Sequence, residues 1–240
     1  MNIALITAAG SGTRMGQDIP KQFMNIDDCP VIVYTMLPFQ QHPDIDAIAV
    51  VCLKGWETFL QAYANQFGIT KLKYIFPGGA TNQDSIHNGI TGLQAAGIDQ
   101  EAIVLIQDGV RPLVSQEIIS NNIATCRQYG YAVTGLLCKE VILHYNTSTE
   151  TVDYLPIPRE QLVRTQTPHS FRLGILLDMH EKAAKEGLNM AASCELAARL
   201  GIDDQHLVLG TEKNGLKLTN TEDIELFKAL KHVSKDKWIK

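Results

Sequence analysis

The chain has 240 residues, 45% of them hydrophobic and 20% charged, with a formal net charge of −5. These are the proportions of a soluble globular protein, and a chain this long buries about 70% of its unfolded surface without needing staples. The negative balance argues against a nucleic-acid or anionic-membrane partner, so an anionic ligand must be held by a local basic cluster. Five scattered cysteines, with no C-x-x-C spacing, read as reduced thiols of a cytoplasmic protein. The seven histidines show no paired metal spacing. The apolar N-terminal stretch lacks a basic start and reads as a strand, not a signal peptide. No apolar run has the length of a membrane span.

In chain order, Ile3–Ile6 is short and apolar, as a buried strand is. Val31–Gln40 reads as a helix opened by Pro30, Ala47–Cys52 as a strand and Trp56–Phe67 as a helix. Leu72–Phe76 is a strand ended by Pro77-Gly78-Gly79; Asp84–Ala96 is a helix with Ile86, Ile90 and Leu93 on one face. Ala102–Ile106 is a strand, Ser115–Gln128 a helix capped by Ser115, and Ala132–Leu137 a strand. This alternation predicts an α/β fold, a mostly parallel Rossmann-like sheet flanked by helices, in a single domain over residues 1–240. Ligands in such sheets bind at the carboxyl ends of the strands. The alternation then breaks. Val141–Tyr145 and Thr151–Pro156 flank a polar turn and read as a hairpin arm over about 139–160. Helices are expected at Leu173–Glu186 and Ala191–Leu200, strands near Leu207–Leu209 and Leu216–Leu218, and a last helix from Thr221.

The first turn carries the chemistry. Thr7-Ala8-Ala9-Gly10-Ser11-Gly12-Thr13-Arg14-Met15-Gly16 places three glycines within seven residues, and Pro20-Lys21-Gln22-Phe23 follows. The glycines let backbone N–H groups approach a ligand, and Arg14 and Lys21 add two fixed charges, as a polyphosphate requires. Two commoner phosphate loops fail on spacing. Met15 occupies the third glycine position of a dinucleotide fingerprint, and the second strand runs into Leu53-Lys54 instead of an acid. Met15-Gly16-Gln17 also lacks the G-K-[ST] ending of a P-loop.

Four later segments have the same character. Gly78-Gly79-Ala80-Thr81-Asn82-Gln83-Asp84-Ser85 opens a helix, and Gln107-Asp108-Gly109-Val110-Arg111-Pro112 follows the most apolar strand. The others are Pro158-Arg159 with Thr165–Phe171, and Gly215-Leu216-Lys217-Leu218-Thr219. Taken one at a time these are turns, caps and solvated charges. Together, in this order over roughly residues 1–230, they resemble the polyol-phosphate cytidylyltransferase family. That family joins the methylerythritol-phosphate enzyme and the ribitol-5-phosphate enzyme.

The resemblance implies transfer of CMP from CTP to a polyol phosphate with release of pyrophosphate. It implies Arg14, Lys21 and Lys217 as catalytic groups. Ala8, Ala9, Gly10, Ser11, Gly12 and Thr13 would bind the nucleotide together with Gly79, Ser85 and Asp108. Arg159, Thr167 and Asp108 would bind the acceptor. Mg²⁺ would be held mainly by the CTP phosphates, with Asp108 as its protein ligand. The hairpin arm would join a homodimer. Arg111 reads as an anchor of its loop through carbonyls, and His169 as a loop residue. The chain departs from the family at Asn82, where Arg is usual, and at Glu140-Val141, where an Asp-Thr pair is usual. The wording of Thr165–Phe171 and Gly215–Thr219 leans toward ribitol 5-phosphate as acceptor, with methylerythritol 4-phosphate next. A non-catalytic nucleotide-binding regulator is the reading of another class, and a nicotinamide oxidoreductase is disfavoured by the loop spacing.

Overall fold

In the computed structural model, which describes residues 1–10, 19–202 and 204–231, the apolar runs of the first half become parallel strands. β1 (Asn2–Ala8) leads to a two-residue ladder of β2 (Asn25–Ile26) with β3 (Cys29–Pro30), then α1 (Val31–Gln41) and β4 (Ala47–Cys52). α2 (Glu57–Gln66), β5 (Leu72–Pro77), α3 (Asn82–Ala95), β6 (Ile103–Asp108), α4 (Gln116–Tyr129) and β7 (Tyr131–Leu137) follow. The second half holds β8 (Leu143–Asn146), β9 (Thr151–Tyr154), β10 (Val163–Arg172), α5 (Leu173–Glu186) and α6 (Ser193–Arg199). It continues through β11 (Leu207–Leu209), α7 (Glu212–Gly215) and α8 (Thr221–Lys231).

Seven strands form one sheet in the order β11-β7-β10-β6-β1-β4-β5. β1 lies between β6 and β4, parallel to both, and both of its faces are covered. That is why β4 reads Ala-Ile-Ala-Val-Val-Cys without a polar residue: all six are buried. Ile48, Val50 and Cys52 face α1, α2 and α4, whereas Ala47, Ala49 and Val51 face α3, α5 and α6. The small alanines on one side let α3 sit close, and Gly89 of α3 packs against Leu5 and Val51 with no room for a Cβ. A smaller cluster of Ile26, Val31, Val110, Leu216, Leu218 and Phe227 seats α8 over the start of α1.

The mostly parallel sheet matches the expectation, with one insertion that the alternation does not reveal. β10 runs antiparallel between β6 and β7. Its Thr165-Gln166-Thr167-Pro168-His169-Ser170 stretch is polar yet sits in mid-sheet, where side-chain hydrogen bonds stand in for apolar packing. Pro168 lacks an N–H and lies where the pairing with β7 shifts register, between Thr165 and His169. His169 is therefore a strand residue, not a loop residue. Leu216–Leu218 is extended but pairs with no strand; Leu216 and Leu218 are buried under α8 instead. α3 starts earlier than expected, at Asn82, because Thr81 and Asp84 form a reciprocal capping box. Ser115 caps α4 as expected, its hydroxyl accepting the Ile118 N–H at 3.2 Å.

Among the described residues β8 and β9 pair only with each other, Leu143 opposite Tyr154 and Asn146 opposite Thr151. The chain leaves the sheet after Leu137 and rejoins it at Val163, which pairs with Leu137. Among the described residues no helix is long and apolar enough to cross a membrane.

Two buried imidazoles make the fold pH-sensitive. Burial pushes both His169 and His180 down to about 4, and neither Nε2 has a hydrogen-bond partner. The unfolded chain takes a proton on each near pH 6.5 while the folded protein resists, so stability is present above pH 6.5 and lost as pH falls toward 4. Between pH 7 and pH 5 each imidazole weakens the fold by about 2 kcal/mol. Urea unfolding at the two pH values should show that loss, and His180→Leu should shrink it by about half. An equal loss in the variant would contradict a neutral, buried His180.

Candidate active site

The strand ends gather the polar segments around a cavity of about 220 Å³. Thr7–Gly10 at the end of β1, Gly79–Asn82 after β5 and Asp108–Val110 at the end of β6 line it, with Lys21, Gln22 and Lys217. Each wall is held by a specific contact. Gln22 is buried, and its Nε2 donates to the carbonyls of Ala8 and Gly10, both at 2.9 Å. Phe23 stacks on Trp56 with ring centroids 4.6 Å apart, which fixes the turn Lys21–Phe23 against the core. Lys21 thus enters the cavity from a turn locked on both sides.

The opposite wall is the capped start of α3. Gly79 donates its N–H to Ser85 Oγ at 3.0 Å, and that hydroxyl donates to Thr81 O at 2.9 Å. A Cβ on Gly79 would lie 2.3 Å from Asp84 Cβ, so only glycine allows this closure. Ser85 is buried yet lines the cavity, its hydroxyl acting first as a latch on the loop. Asn82 also lines the cavity, and its Nδ2 donates to Ala191 O at 3.0 Å. The amide that replaces the family's Arg therefore ties α3 to the segment before α6.

Asp108 is the electrostatic centre. Its Oδ2 accepts from Arg111 Nε at 2.9 Å and meets Lys217 Nζ at 3.0 Å. Burial would push its carboxyl up, but Lys217 and Arg111 outweigh burial and hold it below the usual carboxylate range. It is ionised at neutral pH. Arg111 also donates from Nη1 to Gly215 O, the carbonyl anchoring expected of it. Both cations bind the same carboxylate oxygen, Oδ2. Among the described residues no group of three or more His, Cys, Asp or Glu could hold a metal by itself.

Lys217 reaches Asp108 because Gln166 organises its loop. The Gln166 amide is buried; Nε2 donates to Thr211 O at 3.0 Å and Oε1 accepts from Asn214 Nδ2 at 2.8 Å. Gly210 and Gly215 close on this amide so tightly that an added Cβ would lie 2.2 and 2.4 Å from it. Thr167 is buried beside it, and its Oγ1 accepts the Asp108 N–H at 3.2 Å. Among the described residues Thr167 lines no cavity; it fixes the carboxylate's backbone. Arg159 stands apart on the exposed turn Arg159–Gln161, paired with Glu160 at 3.0 Å. Arg14, with Ser11, Gly12 and Thr13, lies outside the described residues. So Ala8, Ala9, Gly10, Lys21, Gly79, Ser85, Asp108 and Lys217 converge, whereas Arg159 and Thr167 do not join the cavity.

Gln22 and Gln166 escape a reading that looks for charge. The signal for Gln22 is its place in Pro20-Lys21-Gln22-Phe23; for Gln166 it is the flanking pair of threonines.

Residues 2–232 match the family described as 2-C-methyl-D-erythritol 4-phosphate cytidylyltransferase, IspD. The chain belongs to this family. Among curated IspD-family relatives, the ribitol-5-phosphate cytidylyltransferase of Lacticaseibacillus paracasei is 38% identical over 232 residues, covering 95% of this chain and 97% of that protein. The 2-C-methyl-D-erythritol 4-phosphate cytidylyltransferase of Clostridium botulinum is 36% identical, covering 94% and 95%. Of solved IspD structures, 4-diphosphocytidyl-2C-methyl-D-erythritol synthase of Anaerococcus prevotii superposes with a TM-score of 0.79 at 26% identity, over 97% and 96% of the chains. The Thermus thermophilus enzyme, at 24% identity and a TM-score of 0.73, shares the fold over 97% of this chain and all of that one.

Gly215→Ala should cost about 2 kcal/mol of stability, as overpacking does, because the Gln166 amide cannot yield. If Lys217 acts in turnover, the same variant should lower kcat at least ~10-fold, since the loop that carries it moves. Thermal melting and steady-state rates together check this; wild-type values of both would contradict the tight fit.

Proposed function

We propose that this protein transfers CMP from CTP to a polyol phosphate, with ribitol 5-phosphate favoured as acceptor, and releases pyrophosphate. The observation that carries the reading is Asp108 held between Lys217 and Arg111 at the floor of a glycine-walled cavity that Lys21 enters. An oxygen of the acceptor phosphate attacks the α-phosphorus of CTP; the bond to the β-phosphate oxygen breaks and pyrophosphate leaves with the electron pair. The second pKa of a phosphate monoester is about 6, so the nucleophile is already ionised at neutral pH and no general base is needed. The obstacle is charge. Lys21 and Lys217, with Arg14, stabilise the charge that builds on the α-phosphate and on the leaving group. Asp108 keeps Lys217 aimed there by its own ion pair. Mg²⁺, carried by the triphosphate with Asp108 Oδ1 as ligand, would neutralise part of the phosphate charge. The bare backbone at Ala8–Gly10 would cradle the triphosphate, and Gly79 with Ser85 would face the base.

Ribitol 5-phosphate is supported by the 38% identity to relatives that bear its name and by the wording of Thr165–Phe171 and Gly215–Thr219. Methylerythritol 4-phosphate is the second reading, supported by the family description and the Clostridium botulinum relatives. Purified protein with CTP, Mg²⁺ and a panel of polyol phosphates should release pyrophosphate fastest with ribitol 5-phosphate. In the same assay Lys21→Ala should keep the fold and lose at least ~100-fold in turnover. Release that ignores the acceptor, or a fully active Lys21→Ala, would sink the assignment.

The hairpin of β8 and β9 we read as a contact between two copies of the chain. Val141, Val152 and Tyr154 are 76%, 61% and 77% exposed. A lone two-stranded hairpin is marginal in water and needs cover. Arg159, at its base, would then serve the acceptor across that contact. Sedimentation should show a dimer for the wild type and a monomer for Val152→Asp/Tyr154→Asp; a monomeric wild type removes this reading.

A further inference from the structure

Lys217 borders a second cavity of about 370 Å³, on the side away from the glycine walls. Arg111, Arg164, Glu212 and Asp223 line it as well. The charges divide into those the fold consumes and those it does not. Arg111 is spent on Asp108 and the Gly215 carbonyl. Asp223 caps α8: its Oδ2 accepts from Thr219 N, Thr219 Oγ1 and Asn220 N at 2.6, 2.7 and 2.9 Å. Arg164 and Glu212 pair only with each other among the described residues, at the rim, with side chains 61% and 73% exposed.

An ion pair this exposed contributes about 0–1 kcal/mol to stability, so the fold does not explain it. The backbone that carries it is nonetheless fixed. Arg164 stands on β10 and Glu212 opens α7, and the buried Gln166 amide joins the two elements through Thr211 O. The pair thus stands on fixed backbone at the rim of a cavity that Lys217 also lines, and in the proposed reaction Lys217 meets the reacting phosphates. A hydroxyl-bearing chain that entered the second cavity from the Lys217 side would come within reach of Glu212, which lines it.

We infer that Glu212 is the specificity-determining residue of the acceptor site, reading the polyol hydroxyls remote from the phosphate, and that Arg164 is its positioning residue. This deepens the polyol-phosphate reading above and rests on it. A carboxylate accepts hydrogen bonds from two neighbouring hydroxyls, and Arg164 fixes which lone pairs remain for them. The same carboxylate repels an acceptor with a second anionic group at its far end.

The test compares ribitol 5-phosphate with glycerol 3-phosphate, which lacks the remote hydroxyls, in pyrophosphate release. Glu212→Ala should raise KM for ribitol 5-phosphate about 10-fold, leave KM for CTP unchanged, and erase most of the preference over glycerol 3-phosphate. Glu212→Gln should keep part of that preference. Arg164→Gln should raise the same KM with little change in kcat, and Arg164→Lys should restore part of it. The unchanged KM for CTP reports that each variant is folded. Glu212→Ala and Arg164→Gln proteins with wild-type KM and wild-type preference would overturn the inference alone. A wild type inactive with every polyol phosphate would remove the transferase reading, and this inference with it.

Discussion

The triangle of Asp108, Arg111 and Lys217 is the constraint on which the rest of the structure depends. It joins the end of β6, and the turn that directly follows it, to the loop before α8 far along the chain. A largely buried carboxylate without partners would take up a proton, and the largely buried Arg111 without an anion would turn toward water. Here each answers the other, so a charged centre persists at the carboxyl end of β6. Loss of Asp108 would leave two cations without their common anion, whereas loss of either cation leaves one ion pair standing.

Those contacts are neutral. Thr167 fixes the backbone of Asp108, Gln166 fixes the loop of Lys217, and Gln22 fixes the end of β1 through two carbonyls. None carries charge, and all three are buried. Charge at the floor and amides in the walls is a sound division of labour for a site that meets polyanions. The amides keep their geometry when a ligand arrives, because a neutral hydrogen bond is little disturbed by the incoming field. Only the ionic groups then respond to the substrate.

Much of this was legible in the residues. Gly10, Lys21, Gly79, Ser85, Asp108 and Lys217 announce themselves because a close backbone approach demands glycine and a phosphate demands cations. The parallel half of the sheet is equally plain, since strands buried on both faces must be apolar throughout. What stayed hidden follows other rules. β10 defeats a hydrophobic-pattern reading because its buried side chains are amides, hydroxyls and an imidazole whose partners come from distant elements. Arg164 and Glu212 look like any solvated charges, and only the joining of β10 to α7 brings them opposite one another. The motif of Thr167 does not reveal the hydrogen bond by which its hydroxyl accepts the Asp108 N–H.

The path of the chain around β8 and β9 has an architectural corollary. The excursion departs and re-enters at facing positions, Leu137 and Val163, and Cys138 N donates to Leu162 O at 2.9 Å just beyond them. Everything past that doorway is a detachable cassette. Its length and composition can drift, or be exchanged for another, without altering the alignment of a single strand beneath it.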